Sequence, residues 1–434
     1  MAEQESLLPT EKELQDAAKR DDTVMIRWLI CNTVNVNAKN MVNRTALHWA
    51  VAGGNENAVK LLLEFNANVD IEDKFGMTPA LLAAWFGHLK LLQILVNAGA
   101  KVTATNWIGQ SLHHCAAQQG HLNIINYTMD DLEEVPLDRP DQEGNGIGHL
   151  AARQGHVHVL ENLMDVIFTE ARNQQNLNAL HYAVRQGHQD VCRLLVEEGI
   201  DVNAVGKSAS LHLAVKHNFA QIVKLLVDAG CDINIGDHRQ QSALHLAVEK
   251  RQLAIVEMLL KNNINLQLQD KQGKTALDLA VRGQHAVLVD MIIKTERFNA
   301  RQLGTWEVGA EGQGGSALDL TLNCVQDLNH IRAVLWILAT KHLKAGDWKK
   351  LAEHWDFSNK HIIAMETQWT GKNSYKEHGY RMLQIWLHGF ATSGNHPIKE
   401  MYESLVKIGN AKAAEKIRRQ VNTEEDSQQR CMVM

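Results

Sequence analysis

The chain has 434 residues, of which 45% are hydrophobic and 22% are charged, and its formal net charge is −6. This composition excludes an intrinsically disordered chain, and the slightly acidic balance gives no reason to expect nucleic-acid binding. Length alone predicts two or three domains.

Two features of the sequence indicate the compartment. The N-terminal residues lack the basic and apolar regions of a secretory signal, and no stretch approaches the roughly 20 apolar residues that span a bilayer. Six cysteines are spread along the chain without a Cys-x-x-Cys pair, which indicates reduced thiols. We therefore expect a cytoplasmic protein.

In chain order, a degenerate segment at residues 13–40 precedes eight copies of a pattern that begins as TALHWAVAGGN at Thr45. The copies are spaced by 31 to 35 residues, and a period near 33 is typical of ankyrin repeats, which this pattern resembles. The resemblance predicts a solenoid of helix pairs over residues 11–295, with the degenerate segment as its cap. The fourth position of each copy is filled by His48, Leu81, His114, His149, His181, His212, His245 and Asp278.

Each repeat carries the signals of two helices and a turn. Thr or Ser at the first position suits a helix N-cap, and the resemblance implies that the histidine hydrogen-bonds to neighbouring loops. A glycine after the first helix predicts a left-handed C-cap. Asn218 and Arg251 replace it in the sixth and seventh repeats, and arginine tolerates that conformation poorly. The residues predicted to form the turns between repeats are Asp73, Asn106, Asp141, Asn173, Asp237 and Asp270.

The composition changes after residue 295. A glycine-rich segment, residues 296–327, predicts a flexible linker. Residues 328–420 carry half of the ten tryptophans and contain 15 Lys and Arg against 8 Asp and Glu, a local net charge of +7. Six short amphipathic segments in this region predict a helical bundle. Residues 1–10 and 421–434 are assigned to terminal tails.

Three segments of this region, DWKKLAEHWDFS, YRMLQIWL and MYESLVKIG, closely resemble the death domain. In the order of repeats, linker and bundle, the whole chain resembles the ankyrin repeat and death domain-containing protein family. The expected fold class is therefore all-α, an ankyrin-repeat solenoid followed by a six-helix death-domain-like bundle.

The 22 histidines suggest a metal or catalytic site, but repeat positions account for eleven of them. Neither His-Glu-x-x-His nor a Cys/His cluster with zinc spacing is present. The sequence also lacks the nucleophile-elbow, phosphate-loop and protein-kinase motifs. We expect no catalytic residue, metal or cofactor, with an enzyme of unrecognised class as the distant alternative.

The hairpin tips of the ankyrin repeats are the candidate binding surface for a protein target. Phe75, Trp107 and Ile108 would form an exposed apolar row, which is typical of a partner surface. The alternative is that these side chains pack on neighbouring loops. The predicted tip residues are Met41, Val42, Lys74, Phe75, Trp107, Ile108, Gln142, Glu143, His238, Arg239, Lys271 and Gln272.

The death-domain resemblance implies assembly with other death domains, including further copies of this chain. A basic face on the bundle would favour an acidic partner by charge complementarity, and the alternative is a solvated charged face. The basic residues of this predicted face are Lys341, Lys344, Lys349, Lys350, Lys360 and Arg381.

Two motifs predict covalent modification. Cys431 stands in a C-a-a-X pattern that ends in methionine, typical of farnesylation, and one prenyl chain would give only weak membrane association. Asn203 and Asn234 match the L-x5-[DE]-[VI]-N pattern of ankyrin asparagines that the oxygen-sensing hydroxylase modifies. The alternatives are a chance match at the C-terminus and asparagines that only stabilise their turns.

Together these features predict a non-enzymatic adaptor or scaffold in signal transduction. The repeats would bind a protein target, and the bundle would bind other death domains. The main alternative is an ankyrin scaffold in which the bundle serves only as a structural end-cap.

Overall fold

The computed structural model describes residues 7–132, 136–164, 171–206, 208–305, 328–369, 371, 374–390 and 397–419. Within these residues all regular structure is helical, apart from an isolated bridge between Val205 and Ala209. The predicted all-α class is confirmed. The chain divides into two compact units, Met1–Cys231 and Asp232–Met434.

The first unit contains the capping helix pair and six ankyrin repeats, each with two short helices. Its helices are α1 (Pro9–Lys19), α2 (Thr23–Cys31), α3 (Ala46–Ala52), α4 (Glu56–Glu64), α5 (Pro79–Phe86), α6 (Leu89–Asn97), α7 (Leu112–Gln119), α8 (Leu122–Asp130), α9 (Ile147–Gln154), α10 (Val157–Leu163), α11 (Ala179–Gln186), α12 (Gln189–Glu197), α13 (Ser210–Lys216) and α14 (Ala220–Asp228).

The first helix of each repeat begins and ends where the sequence signals lie. At α5 the hydroxyl oxygen of Thr78 accepts a hydrogen bond from the backbone N–H of Leu81 (3.3 Å), and Pro79 occupies the first helical position. Gly87 ends α5 with a φ of 80°. The corresponding glycines after α7, α9 and α11 adopt the same left-handed conformation, as the sequence predicted.

The core of the first unit lies between the two layers of helices. Ala83, Ala116 and Ala117 are fully buried in α5 and α7, and their small side chains let neighbouring first helices pack closely. The second helices bury an apolar stripe, such as Leu92 and Leu95 in α6. This packing explains why a single repeat cannot bury its apolar surface alone.

The second unit contains the last two ankyrin repeats and the C-terminal bundle. Its helices are α15 (Ala243–Glu249), α16 (Leu253–Lys261), α17 (Ala276–Arg282), α18 (Ala286–Thr305), α19 (Leu328–Ile337, followed by a π-helical turn Leu338–His342), α20 (Asp347–His354), α21 (Asn359–Glu366), α22 (Ser374–Phe390), α23 (Pro397–Lys407) and α24 (residues 411–419). Helix α18 continues to Thr305, ten residues into the segment predicted as linker.

Six helices, α19 to α24, form the C-terminal bundle, as the sequence predicted. Trp348 and Trp386 are both at most 2% exposed, and the ring of Trp386 stacks on that of Trp355 with centroids 4.3 Å apart. The indole N–H of Trp355 donates to the hydroxyl oxygen of Ser404 (3.0 Å) inside this core. Buried aromatic rings thus tie α20, α22 and α23 together.

Candidate interaction surfaces

In seven of the eight ankyrin repeats, the tip of the hairpin is shaped by one Asp or Asn side chain; the sixth repeat has neither residue there. In the second repeat, Oδ1 of Asp73 accepts hydrogen bonds from the backbone N–H groups of Phe75 (2.8 Å) and Met77 (2.9 Å). These two hydrogen bonds to the backbone fix the turn that the sequence predicted. The same pair of bonds is made by Asn40, Asn106, Asp141, Asn173, Asp237 and Asp270.

Backbone hydrogen bonds join neighbouring tips in the first unit. The N–H of Lys74 donates to the carbonyl oxygen of Val42 (3.0 Å), and the N–H of Trp107 donates to that of Phe75 (3.1 Å). The series continues from Gln142 to the carbonyl oxygen of Ile108 (2.9 Å). The tips are therefore held in a fixed row. Because they are already ordered, they would lose little conformational entropy when a partner binds.

The tips of the first three repeats present apolar side chains to solvent. Met41 is 75% exposed, Phe75 61%, Trp107 59% and Ile108 52%. Trp107 also leans on the preceding tip, because a Cβ placed on Gly76 would lie 2.4 Å from its Cδ1 atom. One edge of the indole thus packs on a neighbouring loop while most of the ring stays exposed, so each of the two alternatives describes part of this side chain.

The remaining predicted tip residues are polar, except Val42. Val42 and Lys74 are half-buried, and the others are exposed, namely Gln142, Glu143, His238, Arg239, Lys271 and Gln272. The tip of the fifth repeat was not among the predicted tips. There the backbone N–H of Gln174 donates to the carbonyl oxygen of Glu143 (3.1 Å). Its position directly after Asn173 was the available signal.

A row of buried histidines runs through the repeats. In the first repeat, Nδ1 of His48 accepts from the backbone N–H of Thr45 (3.2 Å), and Nε2 donates to the carbonyl oxygen of Met77 (3.2 Å) in the next repeat. Burial lowers the pKa of His48 to about 4, which favours this neutral form. The equivalent bonds from Nε2 are made by His114, His149 and His245.

These histidines tie repeats together, and they do not form a metal site. No three His, Cys, Asp or Glu side chains within the described ranges lie close enough together to hold a metal ion. Nor does any helix in the part of the chain that the structure describes combine the length and hydropathy needed to cross a bilayer.

An open groove lies between α2 and α4, with a volume of about 610 Å³. Val24 is 80% exposed in it and Trp28 59%, and Arg27 and Glu64 face each other at 4.0 Å. This groove was not predicted from the sequence, because α2 belongs to the degenerate cap and carries no repeat signal.

The basic residues predicted on the bundle differ in their exposure and contacts. Lys341, Lys344, Lys350 and Lys360 are exposed. Lys349 is engaged with Glu366, since its Nζ lies 2.6 Å from a carboxylate oxygen of that residue. These five side chains lie where an acidic partner could reach them, and their binding of a partner stays a prediction.

The expectation of an exposed basic group at Arg381 is corrected by the structure, in which this residue is only 5% exposed. Its guanidinium Nε lies 3.0 Å from both carboxylate oxygens of Asp290 in α18, and Nη2 donates to the carbonyl oxygen of Ala286 (3.0 Å). The same guanidinium lies 4.9 Å from the ring centroid of Trp369. Arg381 therefore contacts the last ankyrin repeat and is not available to another protein in this state.

Further contacts link α18 to the bundle. Arg297 donates from Nη2 to the carbonyl oxygen of Trp355 (2.9 Å), and its guanidinium lies 3.6 Å from the ring centroid of Phe357. His361 Nε2 lies 2.7 Å from a carboxylate oxygen of Glu296. This interface was not predicted from the sequence, because its partners are 58 to 95 residues apart and carry no local signal.

The structure describes two of the three predicted modification sites, Asn203 and Asn234. The backbone N–H of Asn203 donates to Oδ1 of Asp201 (2.9 Å), and Oδ1 of Asn234 accepts from the backbone N–H of Asn265 (2.8 Å). Both asparagines are exposed and lie in turns. Cys431 lies outside the described residues.

Two family models match the chain. The model described as ankyrin repeats (3 copies) matches residues 14–106, 112–205 and 211–302, and the model described as death domain matches residues 333–421. The three ankyrin segments together cover more than half of the chain. Both modules mediate protein–protein interactions and are non-catalytic.

Curated relatives match parts of the chain. A probable E3 ubiquitin-protein ligase, XBOS33 of Oryza sativa subsp. japonica, is 27% identical over 169 residues, which is 37% of this chain and 32% of the relative. The B-cell lymphoma 3 protein homolog of Mus musculus is 37% identical over 94 residues, 21% of each protein. Ankyrin repeat domain-containing protein 63 of Mus musculus is 33% identical over 112 residues, 25% of this chain and 28% of the relative.

This chain spans at most 32% of the length of these three relatives. Their names therefore describe those proteins and not this one. The repeat geometry, the six-helix bundle and the two family matches lead to one conclusion. The chain belongs to the ankyrin-repeat family and carries a C-terminal death domain.

Proposed function

We propose that this protein is a non-enzymatic adaptor in signal transduction, which binds a protein target through the ankyrin tips and other death domains through its bundle. The observation that carries the proposal is the exposed row of Phe75, Trp107 and Ile108 on tips that the backbone holds in place. Large exposed apolar side chains on a rigid support are typical of a binding surface.

The position of the apolar tips indicates where the target binds. Tips of the first three repeats carry Met41, Phe75, Trp107 and Ile108, whereas the fourth tip carries the polar side chains Gln142 and Glu143. Aromatic anchors contribute most of the binding energy in many interfaces. A target would therefore bury apolar side chains against the first three tips and make polar contacts beyond them.

The bundle contributes a second surface of opposite charge to the rest of the chain. Its exposed lysines and local net charge of +7 favour a partner with an acidic face. The family resemblance makes other death domains the expected partner class, and further copies of this chain belong to it.

Proximity labelling with the full chain in cells tests the proposal. We expect the pair of changes Phe75→Ser and Trp107→Ser to remove one set of labelled proteins, and Lys344→Glu with Lys350→Glu to remove a different set. Lys90→Ser with Lys224→Ser, two exposed sites on second helices, is the matched control and should change neither set. The adaptor proposal is rejected if neither test pair loses a labelled protein.

A second candidate function is an ankyrin scaffold in which the bundle is a structural end-cap. The contact between α18 and the bundle favours it, because Arg381 and Arg297 are buried there and cover the end of the last repeat. In the labelling experiment this candidate predicts that the tip variant loses partners while the lysine variant loses none.

The finer expectations are also proposals. We propose a cytoplasmic location, farnesylation of Cys431 and hydroxylation of Asn203 and Asn234. Mass spectrometry of peptides from the full chain expressed in cells tests the modifications. A free thiol at Cys431 would reject farnesylation, and the lack of an added oxygen at both asparagines would reject hydroxylation.

A further inference from the structure

One face of α18 carries charged side chains that lie against the C-terminal bundle. Asp290, Lys294, Arg297 and Arg301 recur at intervals of three or four residues and therefore lie on the same side of the helix. Asp290 binds Arg381, Arg297 binds the carbonyl oxygen of Trp355, and Arg301 donates to the carbonyl oxygen of Gly389. A charged helix face is thus matched by complementary groups on the bundle.

The matching bundle surface is defined here as the latch face, formed by Phe357, His361, Gln368 and Arg381. Each of these side chains is at most 8% exposed in the structure. Besides the contacts above, Gln368 Nε2 donates to the carbonyl oxygen of Val281 near the end of α17, the first helix of the last repeat (3.4 Å). All four side chains would be uncovered if the bundle moved away from the last repeat.

The latch contact buries polar atoms whose hydrogen bonding is incomplete. Arg297 Nε, His361 Nδ1, Gln368 Oε1 and Arg381 Nη1 are buried but have no hydrogen-bond partner among the described residues. Burying a polar atom without a partner opposes docking, and the desolvation of a buried ion pair offsets much of its Coulombic attraction. Contacts between domains of one chain resemble transient interfaces when they are polar. These features favour a contact that opens and closes, rather than one that stays permanently closed.

We propose that the latch face is a binding site for an acidic helix, occupied in this state by α18 and open to a partner's helix when the bundle is released. The inference rests on the proposed function for its partner class, a death domain. The partner must present a carboxylate where Asp290 meets Arg381 and a second one where Glu296 meets His361. The net charge of +7 on this bundle makes a second copy of it a poor occupant, so the partner is a different, acidic protein.

Docking of α18 would then limit access to the latch face. A partner's apparent affinity falls in proportion to the fraction of molecules in which the face is open. The attachment of α18 to the same chain gives it a high effective concentration, so it competes well even with a modest intrinsic affinity.

A synthetic peptide with the sequence of residues 286–305 is the probe, because α18 is the known occupant. It is added to the full chain, and its binding is followed by fluorescence anisotropy. We expect the variant Asp290→Ala with Glu296→Ala to bind this peptide at least about tenfold more tightly than the unchanged chain, since its own α18 competes less well. A peptide with lysine in place of both carboxylates should not bind.

Hydrogen exchange on the same proteins reports the contact independently. Residues 361–368 should exchange faster in the double variant than in the unchanged chain. Glu257→Gln, which breaks an exposed pair with Lys261 on α16, is the matched control and should leave exchange and peptide binding unchanged. Asp290→Arg combined with Arg381→Asp reverses the ion pair and should restore the protection of residues 361–368 from hydrogen exchange. That result would separate loss of the latch contact from loss of folding.

Two results would overturn the inference. Unchanged exchange at residues 361–368 in the double variant would mean that these carboxylates do not hold the bundle. Equal peptide binding by the unchanged chain and the variant, or by neither, would mean that α18 does not block a helix-binding face. Neither result depends on a cellular partner, so each is distinguishable from failure of the adaptor proposal in the labelling experiment.

Discussion

The imidazole ring of His121 occupies the space next to Gly87 where any larger residue would place its side chain. A Cβ on Gly87 would lie 2.6 Å from Cε1 of His121, and Nε2 of that ring donates to the carbonyl oxygen of Trp85 (3.1 Å). The glycine that ends the first helix of one repeat therefore makes room for the histidine that precedes the second helix of the next repeat. This contact couples helix termination to the stacking of repeats.

Gly87→Ala should lower the free energy of unfolding by about 2–4 kcal/mol, because it combines a left-handed conformation with a steric clash. Gly99→Ala is the control, since Gly99 has a φ of 85° but no atom within 4 Å of a Cβ. Its cost should be only about 1 kcal/mol. Urea denaturation of both variants measures the difference, and equal losses would contradict the role assigned to His121.

Arg251→Gly should stabilise the protein by about 0.5–1 kcal/mol. Arg251 has a φ of 58° at the position where earlier repeats have glycine, and relief of that conformation outweighs the greater backbone entropy of glycine. Asn218, with a φ of 62°, occupies the same position in the sixth repeat, but asparagine tolerates the conformation. Asn218→Gly should therefore change stability little, and a larger gain there than at Arg251 would refute the explanation in thermal or urea unfolding.

His113→Leu should raise the free energy of unfolding by about 1–2 kcal/mol. His113 is 1% exposed, and neither ring nitrogen has a hydrogen-bond partner among the described residues. Leucine fills the corresponding position in the first, fifth, sixth, seventh and eighth repeats. Denaturation at pH 7.5 measures the effect. A loss of stability in the leucine variant would indicate that the imidazole makes a contact that its buried position does not reveal.

Stability should fall as the pH is lowered from about 6.5 towards 4. Burial lowers the pKa values of His48 and His181 to about 4, whereas a histidine in the unfolded chain titrates near 6.5. The unfolded state therefore binds more protons in this window, and each such histidine costs about 2 kcal/mol at pH 5 relative to pH 7.5. Above about pH 7 this contribution is constant. Denaturant titrations at both pH values test it, and His48→Gln should reduce the pH dependence even though it lowers stability overall.

The sequence by itself determined the repeats and most helix boundaries, because these depend on local signals. Thr78 and Gly87 lie at the two ends of α5, Ser358 caps α21, and the 33-residue period placed the tip residues Phe75 and Trp107 on adjacent hairpins. Helix caps, apolar spacing and turn residues act within a few positions of each other. They can therefore be recognised without a tertiary structure.

Only the tertiary structure decided which charged residues are accessible. Arg381 has the same sequence character as the exposed Lys350, yet it is buried because Asp290, 91 residues earlier, lies opposite it. The extension of α18 to Thr305 brings its charged face to the bundle, and no local pattern encodes that match. Charge complementarity between distant segments depends on how the elements pack, which the spacing of residues along the chain does not specify.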